Sequence, residues 1–368
     1  VTDVPAKPDL RPDRDLRIDF FRGIALLAIA LNHTVPPPAL LDRVGHYQFG
    51  HVFAFTFAEV FVSLSGFVCG MAYLRTLETH GLAATWWKAI KRCAVIWLTT
   101  VAALLLTWAS MWVLQRVVTK PYALAALQFD TSTLWTRAGI IGALKLSPPY
   151  WHFNILQFYV VLLLVMPLGL WLAARAKWVL LAISVLLWAG INVAWKAKWV
   201  TESFAAGPFG NYLAWQLYFF VGLMLGVMRK RGALRVSMNA TVAALLVGVL
   251  IFDDALRQLQ FAHHHLSDKV HAGPLNVLEL LAVATLIAWA MPAQPTWLQR
   301  GFPAVIRRLG TRSLTVFAFV LLTCYVFTHL AAILNVGPAG YLSILIAHVA
   351  VVLGASAAMD RIAKPRDA

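Results

Sequence analysis

Ten apolar stretches, each near the ~20 residues a helix needs to cross a bilayer, recur along the chain. They lie at 17–35, 52–74, 93–114, 152–173, 178–195, 211–228, 237–252, 274–291, 313–334 and 340–359. That recurrence leaves few folds open. Lipid cannot hydrogen-bond a backbone, so a run of this length and apolarity spans as an α-helix. The expected architecture is an all-α integral membrane protein, a polytopic bundle of about ten transmembrane helices. A soluble domain carries about 25% charged residues, and this chain carries 13%. Its 15 tryptophans and 21 phenylalanines suit a protein that meets lipid and its interfaces.

The basic residues set the orientation. With the N-terminus inside, 21 of the 31 lysines and arginines fall in inner segments and nine in outer loops, Arg22 lying within a span. The excess predicts both termini in the cytoplasm and an even number of spans. The net charge of +15 is therefore a topology signal, and nucleic-acid binding is not expected. The predicted organisation is an N-terminal tail at 1–15, one transmembrane domain at 16–362 and a C-terminal tail at 363–368. The first apolar run has no small-residue cleavage site after it and is expected to stay as an anchor. The longest non-apolar connection, 115–151, falls outside; a loop of that length is usually functional or disordered. No repeat relates the two halves, which weighs slightly against a transporter.

Function is sought where polar residues interrupt the apolar runs. The stretch 16–35, LRIDFFRGIALLAIALNHTV, holds Asp19, Arg22 and His33. At 100° per residue, Arg22 and His33 differ by only ~20° in direction and lie ~16 Å apart along the axis. Asp19 lies ~60° to one side of Arg22, so all three share a stripe. Charged groups in a membrane helix usually face the bundle interior or a water-filled cavity. In the second span, Glu59, Ser63, Gly66 and Gly70 share one face, and small residues there allow close helix approach. The expected neighbour is the first span, which would set Glu59 at a depth similar to His33. A carboxylate beside an imidazole fixes its tautomer and suits it to act as a general base.

Other polar residues are weaker candidates. His152, Asn154, Gln157 and Tyr159 sit at the outer end of the fourth span, where an interfacial belt explains them equally well. Asn211, Trp215 and Gln216 open the sixth, where Gly222 and Gly226 form a packing pair. Glu279 needs a partner, and His329 and His348 are expected to be buried and hydrogen-bonded. The cysteines Cys69, Cys93 and Cys324 read as small buried hydrophobes. His263, His264 and His265, with Asp268 and His271, cluster in an outer loop. Three adjacent histidines cannot all face one ion on a regular backbone, so no metal site is expected.

These residues resemble a known family. Asp19-x-x-Arg22-Gly23 followed by His33 looks like the opening motif of the membrane acyltransferase-3 superfamily. The run from Glu59 to Phe67 resembles its second motif. RIDFFRGIALL, AEVFVSLSG, HFNILQFYVVLLLVMP, AWQLYFFVGLMLG, SDKVHAGPLNVL and LGTRSLTVFAF are similar, in order, to signatures of the OpgC family. Gln157 and Asn276 depart from that pattern, which has proline and arginine there. The resemblance implies succinyl transfer from cytoplasmic succinyl-CoA to a periplasmic glucan, across a bacterial inner membrane. It implies acyl-CoA as co-substrate and no permanently bound cofactor. On this reading His33, Glu59 and Asp19 are the catalytic set, with His33 as the base. Arg22, Asn32 and Ser63 bind the donor, and His152, Asn154, Gln157, Trp215 and Gln216 meet the acceptor. Transfer of acetyl or another acyl group, a proton-coupled transporter of an anionic substrate and a non-catalytic scaffold are the rival readings. The sequence sets no oligomeric state.

Overall fold

The computed structural model describes residues 15–37, 40, 56–117, 136–144, 154–201, 208–234, 236–258, 266, 268 and 271–363. Every element among them is helical: α1 (Leu16–His33), α2 (Phe57–Val117), α3 (Arg137–Leu144), α4 (Asn154–Arg175), α5 (Lys177–Lys196), α6 (Pro208–Lys230), α7 (Ala240–Gln258), α8 (Pro274–Ala290), α9 (Gly301–Thr311), α10 (Ser313–Leu334) and α11 (Pro338–Ala363), with a 3-10 turn at Thr296–Gln299. A helix occupies each of the ten predicted segments. Six of the described helices are long and apolar enough to cross a membrane. α2 is one of these and holds two predicted spans, while α7 and α8 are apolar but shorter. The eight-residue α3 and the amphipathic α9 were not expected from the apolar pattern. α3 lies within the long connection 115–151.

α2 reverses at Gly81, whose φ of 80° is a left-handed value that favours glycine. Lys88 Nζ reaches back to the Ala72 carbonyl (3.3 Å) and the Thr76 hydroxyl (3.1 Å). In a straight helix those residues would lie up to ~24 Å apart. The run is thus a hairpin with arms at 57–80 and 82–117. The segment between the second and third predicted spans is helix, not loop.

Two seams of small residues bring backbones together. A Cβ on Gly66 would lie 2.0 Å from the Phe219 carbonyl oxygen, and one on Gly222 2.1 Å from that of Ser63. Gly70 and Gly226 meet Leu223 and Phe67 in the same way. The stripe on the first arm of α2 therefore packs against α6, in parallel, and not against α1 as expected. Its spacing matches the glycine pair on α6, and two such stripes approach more closely than one stripe against larger side chains. The second seam joins α1 to α9, where a Cβ on Gly310 would fall 1.8 Å from the Asp19 carbonyl oxygen.

α1 is pinned at both ends. Leu16 N–H donates to Ala293 O (2.9 Å), and Arg17 pairs with Asp15 while donating to the Ala288 and Met291 carbonyls. At the other end Thr328 Oγ1 accepts from Val35 N–H (2.9 Å), and Tyr341 O–H donates to Thr34 O (2.5 Å). α10 runs parallel to α1, its start beside Arg22 and its Thr328 beside His33.

Candidate functional site

Arg22 sits on the face of α1 that turns into the bundle. Its Nη2 donates to Ser313 Oγ at the start of α10, and its guanidinium lies 5.6 Å from the centre of the Phe61 ring. Phe61 stacks on Phe317 and meets Tyr159 edge-on, each at 5.8 Å. These groups wall a cavity of about 250 Å³. Arg92, on the second arm of α2, lines it too, as do Ser65, Cys69, Tyr73 and Tyr159. Tyr159 O–H donates to Ser65 Oγ (3.2 Å). Arg92 is exposed and Arg22 is half-buried. Arg22 Nε is buried with no hydrogen-bond partner among the described residues.

This arrangement suits an anion. Two guanidinium groups face one small space whose walls are otherwise largely aromatic and aliphatic, and planar forks of donors match phosphate or carboxylate oxygens. The cavity is smaller than the ~300–1,000 Å³ of a ligand pocket that swallows its whole ligand. It fits one end of a longer molecule. Sequence reasoning counted Arg92 only as a loop charge. The signal that places it, the reversal at Gly81, is a single glycine inside a continuous helical pattern.

The other predicted residues separate into groups. Asp19 is buried, with its backbone under Gly310 of α9, and is near enough to Arg22 to act on its charge. Asn32 and His33 lie half-buried at the far end of α1, and Thr328 Oγ1 donates to the His33 carbonyl (3.4 Å). Glu59 is fully buried, and its Oε2 accepts from the backbone and hydroxyl of Thr56. Thr56-x-x-Glu59 is a capping box, a spacing legible in the sequence and missed there. Glu59 lies near Tyr218 of α6, in line with the seam. Ser63 lines a different, larger groove, and Ser65 faces the cation-lined cavity instead.

Of the residues expected to meet the acceptor, His152 and the side chain of Asn154 lie outside the described residues. Gln157 is half-buried. Trp215 is buried against Tyr218, and Gln216 Nε2 donates to Ser184 O (2.8 Å), tying α6 to α5. His348 is hydrogen-bonded as expected, between Thr34 Oγ1 (2.8 Å) and Thr323 Oγ1 (2.7 Å). His329 is buried, but neither ring nitrogen has a partner among the described residues. His263, His264 and His265 lie outside the described residues. His271 pairs with Asp268 (2.5 Å) and stacks on Trp195 at 3.9 Å, docking the start of α8 onto α5.

The described residues form a helical membrane bundle with a cavity lined by two arginines, and sequence comparison supplies the family. The model of the OpgC protein family matches residues 14–364, nearly the whole chain, so the protein belongs to the OpgC family. Membership implies a membrane acyltransferase acting on periplasmic glucan, and it suggests a bacterial source. Comparison with curated proteins and with solved structures returned no match.

Proposed function

We propose that the protein moves a succinyl group from cytoplasmic succinyl-CoA to a hydroxyl of a periplasmic glucan. The observation that carries this reading is the geometry of α1. Arg22 faces the cavity that Arg92 opens to one side of the bundle, and His33 follows on the same helix stripe ~16 Å further on. A CoA ester is long and ends in phosphates. Its charged part would sit at Arg92 and Arg22, with its pantetheine arm running along the stripe toward His33.

The glucan oxygen attacks the thioester carbonyl, a C–O bond forms and the C–S bond breaks. His33 takes the hydroxyl proton and returns it to the departing thiolate, giving the ester and free CoA. Asn32, at the same helix end, steadies the developing oxyanion on this reading. Glu59 and Asp19 act as positioning residues, the first by fixing the outer end of α2 and the second beside Arg22. The reading needs neither a metal nor a resident cofactor. It sits with a bacterial inner-membrane location, within the acyltransferase-3 superfamily, and with ten spans and cytoplasmic termini. The parallel pairs α1 with α10 and α2 with α6 support that alternation.

Protein reconstituted in liposomes, given labelled succinyl-CoA on one face and a glucan on the other, tests the reading. The expected result is CoA release matched by labelled glucan. Intact thioester with correctly folded protein would overturn it. Reporter fusions after Ala368 and near Tyr122 should report opposite sides of the membrane.

A further inference from the structure

On the other side of α1 lies a groove of about 1390 Å³ walled by α1, α2, α6 and α8. Leu31 of α1 and Val277 of α8 lie toward one end, and Arg17, Met291 and Arg229 toward the other. The groove follows α8 from Val277 to Met291 for ~21 Å, and α6 from Leu217 to Arg229 for ~18 Å. That is more than half the ~30 Å hydrocarbon core of a bilayer. The volume exceeds the ~300–1,000 Å³ of a pocket for a compact small molecule. The space is long, and its walls are almost wholly aliphatic and aromatic.

The few polar groups on these walls are mostly spent. Arg17 pairs with Asp15 and donates to the Ala288 and Met291 carbonyls. Thr285 O–H donates to Leu281 O (2.7 Å), and the Thr56 hydroxyl meets Glu59. Arg229 differs. It is exposed, it lines the groove, and it makes no hydrogen bond or ion pair among the described residues. Its neighbour Arg231 is engaged elsewhere, by Glu78 (2.7 Å) and the Ala174 carbonyl (2.5 Å). Trp289, 45% exposed, lines the same end of the groove as Arg229. Tryptophan beside a basic residue marks the level at which apolar chains give way to headgroups.

A ligand for this groove has to be apolar along its length and anionic at one end. A sugar would leave hydroxyls against hydrocarbon, at a cost for each unpaired group. A bare phosphate would use Arg229 and leave the groove unfilled. An acyl chain with a phosphate at its head meets both demands, burying methylenes against the walls and accepting charge-assisted bonds from the guanidinium. Basic pockets between transmembrane helices on the cytoplasmic side bind anionic headgroups, and on the topology proposed above the Arg229 end faces that side. We propose that the groove binds one anionic phospholipid, its phosphate on Arg229 and its acyl chains running between α6 and α8 toward Val277. The lipid then completes the wall behind α1, the helix that carries Arg22 and His33. This inference does not rest on the acyltransferase reading.

The test uses full-length protein in detergent, with lipid added in known amounts and bound lipid counted by native mass spectrometry. The probes are phosphatidylglycerol, phosphatidylcholine with the same acyl chains, and inorganic phosphate. Arg229→Gln removes the charge at an exposed position, and Ala284→Phe puts a ring into the groove from an exposed position of α8. Both should fold, and thermal melting without lipid checks this. The unaltered protein should retain phosphatidylglycerol in preference to phosphatidylcholine. Arg229→Gln should weaken phosphatidylglycerol binding roughly fivefold and leave phosphatidylcholine where it was. Ala284→Phe should weaken both lipids, because it fills the space the chains use. Equal retention of the two lipids by the unaltered protein, or an anionic preference that survives Arg229→Gln, would overturn the headgroup site. Lipid binding untouched by Ala284→Phe would overturn its placement in the groove. Inorganic phosphate at matched concentration should not displace the lipid; displacement would reduce the site to a bare anion site and overturn the proposal.

Discussion

The two cavities on either side of α1 differ in what they ask of a ligand. The smaller, about 250 Å³, holds two guanidinium groups among aromatic walls; the larger, about 1390 Å³, holds mostly hydrocarbon. Leu27 and Leu31, on the groove side, lie ~140–180° around the helix from Arg22. One 18-residue helix thus separates a cation-lined space from an apolar one, and His33 stands half-buried at its C-terminal end. The charge of Arg22 is tolerable in a membrane helix because Ser313 and the Phe61 ring meet it on the inner side. The same charge turned toward the groove would have no such company.

The largest effect expected is at His33. Loss of a general base typically costs on the order of 10²–10⁴ in rate, so His33→Ala should nearly abolish transfer while acyl-CoA still binds. Near-normal transfer at equal expression would remove His33 from the mechanism and leave the two cavities unconnected. Next is the seam that walls both. Gly222→Val would drive a side chain into the Ser63 carbonyl, an overpacking expected to cost about 3 kcal/mol or more. Such a variant should melt well below the unaltered protein or fail to accumulate, and a normal melting curve would mean that α2 and α6 can part without loss.

The arginines come third. Arg22→Ala and Arg92→Ala should each raise the acyl-CoA KM by about 10–100-fold, the range of one lost charge-assisted hydrogen bond. Acceptor affinity should not change. Arg22→Lys should recover only part, because an ammonium cannot reproduce the guanidinium fork. An acyl-CoA KM unchanged by both alanine variants would break the contrast between the cavities.

Much of this was legible in the sequence, for reasons specific to each residue. The ten segments stood out because lipid demands long apolar runs, and the Arg22–His33 stripe follows from helix geometry alone. The α2–α6 seam was half legible: both glycine pairs were visible, but nothing local says which stripe meets which. The Thr56-x-x-Glu59 capping box was legible too, as a threonine three residues before a glutamate at the head of an apolar run. Arg92, Ser65 and Ser313 were not legible, because they reach the cavity from distant points of the chain and only the turn at Gly81 and the packing of α10 bring them there. Arg92 also sits in a helix that composition alone presented as a cytoplasmic loop.

The smallest effect separates the cavities most finely. Ser63 and Ser65 are two residues apart on α2, about 200° around the helix, and they face different spaces: Ser63 the groove, Ser65 the cation-lined cavity. The sequence assigned Ser63 to the donor. The structure puts Ser65 on the cation-lined cavity, where it accepts from Tyr159 O–H at 3.2 Å. A neutral hydrogen bond of this kind is worth about 1 kcal/mol, or roughly a fivefold change in an equilibrium. Ser65→Ala should therefore raise the acyl-CoA KM about fivefold by freeing the Tyr159 hydroxyl beside Arg22. Ser63→Ala removes a hydroxyl that faces mostly hydrocarbon and should leave the donor KM where it was. Both substitutions are small and sit on the same helix, so a general loosening of α2 would move them together. The reverse pattern, with Ser63→Ala the damaging change, would place the donor in the larger groove and exchange the roles of the two sides of α1.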